Sequence, residues 1–526
     1  MSSSDRRRYP KLKKKGLPEH KELVTQDDWY EEAVKLEDGA ERWFLSDIRK
    51  TLKGYSEAMV AYERALNAEN SNAEDTYNIH YNQTRLLLKI YTDYANVDGY
   101  INLLQYVNLD GLDLSSVITS IETIVTRFET VLQAYPEKVG WDFLFNTLIS
   151  YYTFIESENN TSGYALISTL EHFISHFHHL INLELELLES EERSDNVDEA
   201  FEEAQFQRDN LAEQSKINLN TGGGIKTREE ETAKTELALS TEAFDKEVMT
   251  DSLALGYKLV YEVMATICRT ENLKDEMLLN IAQKNYLTEM LSKFVPQLDE
   301  MAANLEAHHP HNFSELVTIK KSIESLKWIY QRDLESFLKS LDNSDKEGLM
   351  SNVELLELAV ETFPPEKSWE IRTHLSKTLA NLQNILAKEQ SDIITGRIKN
   401  KDNELSPIVF KLCDIMINRS DNELYRCMIK KKELDQHAEP HTIKEGHLKT
   451  IEILERNATT LLTNAKDIAH RSCGFSEYIT DKLKRNYIFG QATLRLQMLE
   501  STSTALPEDL EDHPYYQALR SAVIRI

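Results

Sequence analysis

The stretch Ser115–Tyr135, SSVITSIETIVTRFETVLQAY, sets Val117, Ile118, Ile121, Ile124, Val125, Phe128, Val131, Leu132 and Tyr135 at successive spacings of three and four. At 3.6 residues per turn these side chains share one stripe of an α-helix, and a stripe that apolar has to be buried. The same spacing recurs along the chain, from Trp29–Leu36 and Tyr55–Leu66 through Ala165–Leu188 and Leu316–Leu341 to Ile451–Ile468 and Ile479–Leu499. Strand-rich folds need turn residues every 8 to 12 positions or so. With only 16 Gly and 11 Pro in 526 residues, this chain does not supply them. Local signals agree with the periodicity. Thr25 with Asp28 has the form of a capping box ahead of Trp29, and Pro136 and Pro364 follow apolar stripes where a helix has to end. The expected fold class is all-α.

Composition divides the chain into four parts. Residues 1–24 form a basic tail with Arg6, Arg7, Arg8, Lys11, Lys13, Lys14 and Lys15, too polar to bury a core and expected to be disordered. Residues 25–185 read as helical pairs. Residues 186–237 read as an acidic, flexible insert: ten acidic residues stand against one basic, Arg193, between Glu184 and Ala204, and Thr221-Gly222-Gly223-Gly224 follows. Helices resume over 238–526. The two helical halves are therefore expected to be separated by an acidic disordered insert.

So many amphipathic helices cannot surround one core, which raises the question of internal repetition. In GYSEAMVAYERALNAEN, Gly54–Asn70, Ala58, Tyr62 and Ala65 give a small residue, an aromatic four later and a small residue three after that. Two further segments share a related spacing: ETVLQAYPEKVGWDFLFNTL around Pro136 and ELAVETFPPEKSWEIRTHL around Pro364. There Phe128, Val131, Pro136 and Trp141 correspond to Leu356, Ala359, Pro364 and Trp369, while Ile124 and Asn352 replace the small residue. These segments resemble the tetratricopeptide repeat, TPR. The resemblance implies an α-solenoid of antiparallel helical hairpins that offers a surface to a partner polypeptide. It does not extend to the carboxylate clamp of chaperone-binding members: one repeat length from Asn78 and Asn82 stand Phe44 and Ile48.

Few residues suggest chemistry. His172, His176 and His179 fall at i, i+4 and i+7 on one helical face, a spacing that suits Zn²⁺ or a related ion. The residues between them lack the Glu of H-E-x-x-H, so a polar helix face with packing histidines is the plainer reading and no metal is assigned. His308-His309-Pro310-His311 reads as a turn. Gly222–Thr227 lacks the first glycine of a phosphate loop and reads as a linker. No catalytic residue, cofactor site or cofactor is assigned, and the expectation is that the chain is not an enzyme.

The net charge of −28, from 60 Lys and Arg against 88 Asp and Glu, disfavours a chain that binds nucleic acid or an anionic membrane over its whole surface. Nucleic-acid contact is left to the basic tail, which also has the form of a nuclear-import signal. Cys268, Cys413, Cys427 and Cys473 are widely separated and form no disulfide framework. No run of 18 apolar residues occurs. The resulting expectation is a non-catalytic scaffold or adaptor of the nucleus or cytoplasm, an assembly factor or chaperone for a basic nuclear or ribosomal client. The alternatives are a helical metalloprotein or hydrolase built on the histidine face and a nucleic-acid contact through the tail.

Overall fold

The computed structural model describes residues 23–68, 72–157, 162–213, 246–270, 279–308, 313–398, 404–436, 441–471, 473, 477–500, 510 and 513–524, with side chains described up to 188 and again from 248 in the region of the acidic stretch. Among the described residues there are sixteen α-helices and no strand; the one β-type pairing is an isolated bridge between Val97 and Ile101. The first half holds α1 (Gln26–Glu41), α2 (Ile48–Leu66), α3 (Ala73–Ile90), α4 (Ile121–Ala134), α5 (Trp141–Glu156) and α6 (Gly163–Glu213). Next come α7 (Lys246–Thr270), α8 (Ile281–His308), α9 (Ser314–Tyr330), α10 (Leu334–Ser340), α11 (Lys346–Thr362) and α12 (Ser368–Ile394). The chain finishes with α13 (Leu405–Gln436), α14 (His441–Ala469), α15 (Ile479–Leu499) and α16 (Pro514–Ile524).

Local chemistry explains several boundaries. Thr25 and Asp28 form a reciprocal capping box: the Asp28 amide donates to Thr25 Oγ1 at 3.1 Å, and the Thr25 amide donates to Asp28 Oδ2 at 3.2 Å. The helix expected from Ser115 begins only at Ile121, because Ser120 caps it and the preceding Leu114–Ile118 is a turn that buries Val117 by itself. The single stripe expected over Leu316–Leu341 is two helices. Arg332 adopts φ of 61°, and the Asp333 carboxylate accepts the Ser336 amide to start α10 afresh. Pro136 and Pro365 each open a short 3₁₀ turn, Pro136–Lys138 and Pro365–Lys367, before α5 and α12.

Packing follows chain order: α1 on α2, α2 on α3, α3 on α4, α4 on α5 and α5 on α6, then α7 on α9, α9 on α11, and α11 through α15 each on the next. Gly54 sets the tightest of these approaches, since a Cβ there would lie 2.6 Å from the Cβ of Ala40, and only a residue without that atom lets α1 and α2 meet so closely.

The two halves are in contact. α5 packs on α7, and a connection between α3 and α4 carries Val97, Ile101 and Leu103 into the core made by α9 to α15. The Ile479 amide donates to the Leu45 carbonyl at 3.0 Å, Lys484 pairs with Asp98 at 2.7 Å, and Tyr487 packs against Tyr100 and Tyr106. Gly99, at φ of 80°, makes the turn that presents Asp98 and Tyr100 to the second half. No helix among the described residues is long and apolar enough to cross a membrane.

Candidate functional site

The residues singled out for repeat packing are placed as follows. Ala58, Tyr62 and Ala65 are fully buried in α2, and the Tyr62 hydroxyl donates to Glu37 at 2.8 Å. Phe128 and Val131 are buried in α4, Leu356 and Ala359 in α11. Pro136 and Pro364 are exposed at the turns. Trp141 opens α5, half-buried; Trp369, also half-buried, lies under the cations of Arg426 and Lys430 at 4.7 and 4.2 Å. The basic cluster Arg6–Lys15, the Gly222–Thr227 segment and His309–His311 lie outside the described residues. The acidic stretch lies on α6, whose backbone runs to Glu213.

The histidine face does form a cleft. His172, Ser175, His176 and His179 of α6 face Glu129 of α4 and Tyr151 of α5 across a space of about 360 Å³. Glu129 Oε1 lies 2.9 Å from His172 Nδ1 and accepts the Tyr151 hydroxyl at 3.2 Å. Tyr151 and His176 rings are parallel within 11°, with centroids 6.2 Å apart. Burial, then the neighbouring His172 and His179, push the His176 pKa down, so its ring is neutral at pH 7. His178, on the adjacent face, is engaged by the Ile174 carbonyl and the Gln297 side chain.

A second feature was not singled out from the sequence. Glu156 of α5, Glu262 of α7, Glu354 and Glu357 of α11 and Asp414 of α13 all have pKa values raised, chiefly by desolvation; Glu262 and Glu357 reach about 7. Yet Glu156, Glu354 and Glu357 are exposed to solvent. Raised chiefly by desolvation yet reached by water, these carboxyls are partly enclosed by the elements around them and form an acidic recess. They also raise one another: Glu156 and Glu354 act on Glu262, and Asp414, Glu354 and Glu361 act on Glu357. Lys258, Arg269, Arg372, Lys411 and Arg495 oppose this in part. The turn at Gly99 forms one wall, with Glu156 Oε1 at 3.7 Å from where a Cβ would stand and the Tyr100 hydroxyl bonded to Asp414. Tyr100 is itself 51% exposed, which adds an aromatic face to the acidic wall.

The arrangement is thus a recess, fed by four helices and one turn, in which raised carboxyls stand among cations. A sequence signal for it existed. Glu354, Glu357 and Glu361 recur at three and four on the face of α11 beside the buried Leu356 and Ala359, but the same spacing marks any solvated helix.

Comparison with known proteins adds the following. A designed protein, "Circular tandem repeat protein with novel repeat topology and enhanced subunit contact surfaces", aligns over 95% of this chain and 96% of its own at 14% identity, with a TM-score of only 0.25. Residues 159–331 match the family model described as the YNL193W-like protein middle domain, and residues 342–520 match the YNL193W C-terminal domain. The division between them falls after α9, and the middle domain spans the acidic stretch. "Uncharacterized protein YNL193W" of Saccharomyces cerevisiae is 34% identical over 549 residues, covering 96% of this chain and 98% of the relative. On that identity and coverage, the chain belongs to the YNL193W-like family.

Proposed function

We propose that the protein is a non-catalytic scaffold whose acidic recess receives a basic segment of a partner polypeptide, as an assembly factor or chaperone for a basic nuclear or ribosomal client would. The observation that carries this reading is the raised pKa of Glu262 and Glu357, each about 7. Desolvation is the main cause for both, and Lys or Arg side chains entering the recess would favour the ionised carboxylates. The groups come from four helices, α5, α7, α11 and α13, a spread that suits an extended chain better than a small ion. Complementary charge of this kind speeds association and makes it sensitive to salt. Buried Ala58, Tyr62 and Ala65 beside the close α1–α2 approach support a TPR-like packing of the first hairpin. The basic cluster Arg6–Lys15 supports action in the nucleus as well as the cytoplasm.

Affinity purification with mass spectrometry at low and high salt tests the reading. The expected result is a set of basic polypeptides that is retained at low salt and lost at high salt. Recovery of acidic partners, or of the same partners at both salt concentrations, would overturn it. Nucleic acid retained only when residues 1–20 are present would instead favour the tail as the binding element.

A further inference from the structure

The cleft around Glu129 is independent of the acidic recess, and nothing in the scaffold reading uses its histidines. His172 and His176 are one turn apart on α6, with ring centroids 6.4 Å apart, and both line the cleft. We propose that these two imidazoles chelate a divalent first-row transition ion, with Glu129 as the carboxylate that orients the first of them.

Two observations carry this. The first is the contact between Glu129 Oε1 and His172 Nδ1 at 2.9 Å. A carboxylate on one ring nitrogen holds the proton there and leaves Nε2 with its lone pair, which is the arrangement by which metal-ligating histidines are commonly oriented. The carboxylate is itself fixed, because the Tyr151 hydroxyl donates to the same oxygen. Second, three separate helices converge on this one point: the carboxylate comes from α4, the hydroxyl from α5 and the imidazoles from α6. A merely solvated histidine face needs no such support, and His178, whose two nitrogens are engaged by Ile174 and Gln297, shows what a packing histidine on the same helix looks like.

The geometry also sets what must move. Two imidazoles bound to one tetrahedral ion at about 2.0–2.1 Å have centroids roughly 5 Å apart. The pair therefore has to close by about 1 Å, a side-chain rotation within an open cleft. Among the described residues no three His, Cys, Asp or Glu already stand at metal-ligand spacing, so the site is a two-histidine chelate with its other positions left to water or to His179. Imidazole donors select zinc, copper or nickel over magnesium or calcium.

Calorimetric titration of chelator-stripped, full-length protein with ZnCl₂ at pH 7.5 tests the site. The parent should bind one equivalent more than the His172→Ala, His176→Ala double variant. Glu129→Gln, which keeps the side chain's size and an acceptor oxygen, should weaken that equivalent by about 10- to 100-fold. Zinc bound at histidines elsewhere appears equally in parent and variant and cancels. Should the double alanine variant lose helicity by circular dichroism, the single variants His172→Asn and His176→Asn provide the same comparison, each having lost one donor. Superimposable isotherms for the parent and a folded histidine variant would overturn the proposal, and so would an unchanged affinity in Glu129→Gln.

Discussion

Replacing Glu184 by Gln should shift stability in the variant's favour as pH rises, so that the variant is the more stable protein at pH 8. Glu184 sits on α6 and is fully buried; its Oε1 accepts the Ser252 hydroxyl at 2.6 Å, while Oε2 has no hydrogen-bond partner among the described residues. Desolvation, with a smaller contribution from Asp251, pushes its pKa from the usual 4.5 up to about 8. The folded value lies above the unfolded one, so the stability associated with this group is complete below pH 4.5 and is lost as pH rises towards 8. Raising a pKa by one unit between the unfolded and folded states corresponds to about 1.4 kcal/mol. Integrated between pH 5 and pH 8, the loss is about 3.5 kcal/mol, with no discount for solvent screening because the group is inaccessible. Glutamine cannot ionise. It keeps the bond to Ser252 but leaves an amide unpaired where Oε2 now lies, at a cost of about 1–3 kcal/mol that does not depend on pH. The informative quantity is therefore the change with pH. Urea unfolding followed by circular dichroism, at pH 5 and pH 8 on both proteins, should show the variant gaining about 3.5 kcal/mol on the parent across that interval. Parallel pH dependences in the two proteins would refute the burial argument for Glu184.

Three further outcomes follow from the packing. Gly54→Ala should lower stability by about 1–3 kcal/mol, read as a fall in melting temperature, because the new methyl has to force α1 away from α2 at Ala40. Gly99→Ala should cost about 1–2 kcal/mol through its φ of 80°, and it should also weaken binding at the recess, since that turn carries Tyr100 and Asp98; an unchanged melting temperature would show the turn to be adaptable. A double-mutant cycle on Asp98→Ala and Lys484→Ala should give a coupling of only about 0.2–1 kcal/mol, falling with added salt, as expected of a partly exposed pair. A coupling well above that would make this pair a principal tie between the two halves.

Much of the fold was legible because helical period is a local property. The stripe at Ile124, Phe128 and Val131 and the stops at Pro136 and Pro364 depend only on neighbours within a few turns, and the structure has helices on both sides of those prolines. What was not legible is long-range. Nothing in the sequence of 97–103 announces that Val97, Ile101 and Leu103 enter the core of the second half, because a short apolar turn reads the same wherever it docks. The break at Arg332 was hidden for a related reason: the apolar stripe continues across it, and only the backbone reverses. The candidate sites follow the same rule. The histidine spacing on α6 was visible, but its carboxylate partner comes from 43 residues earlier in the chain. The acidic residues of the recess were all visible and unremarked, because 88 carboxylates give many acidic helix faces and only the fold brings residues of several of them together.

The measurement that bears most directly on the scaffold reading is proton release on binding. A synthetic peptide rich in Lys and Arg, titrated calorimetrically into the full-length protein at pH 7 in two buffers of different ionisation enthalpy, should release protons as Glu262 and Glu357 are drawn back into the ionised state. Affinity should tighten between pH 6 and pH 8, by up to about tenfold per pH unit for each group. Both effects should be absent from a Glu262→Gln, Glu357→Gln variant. Equal affinity across that range with no proton release, or the same release from the variant, would contradict the acidic recess as the binding site.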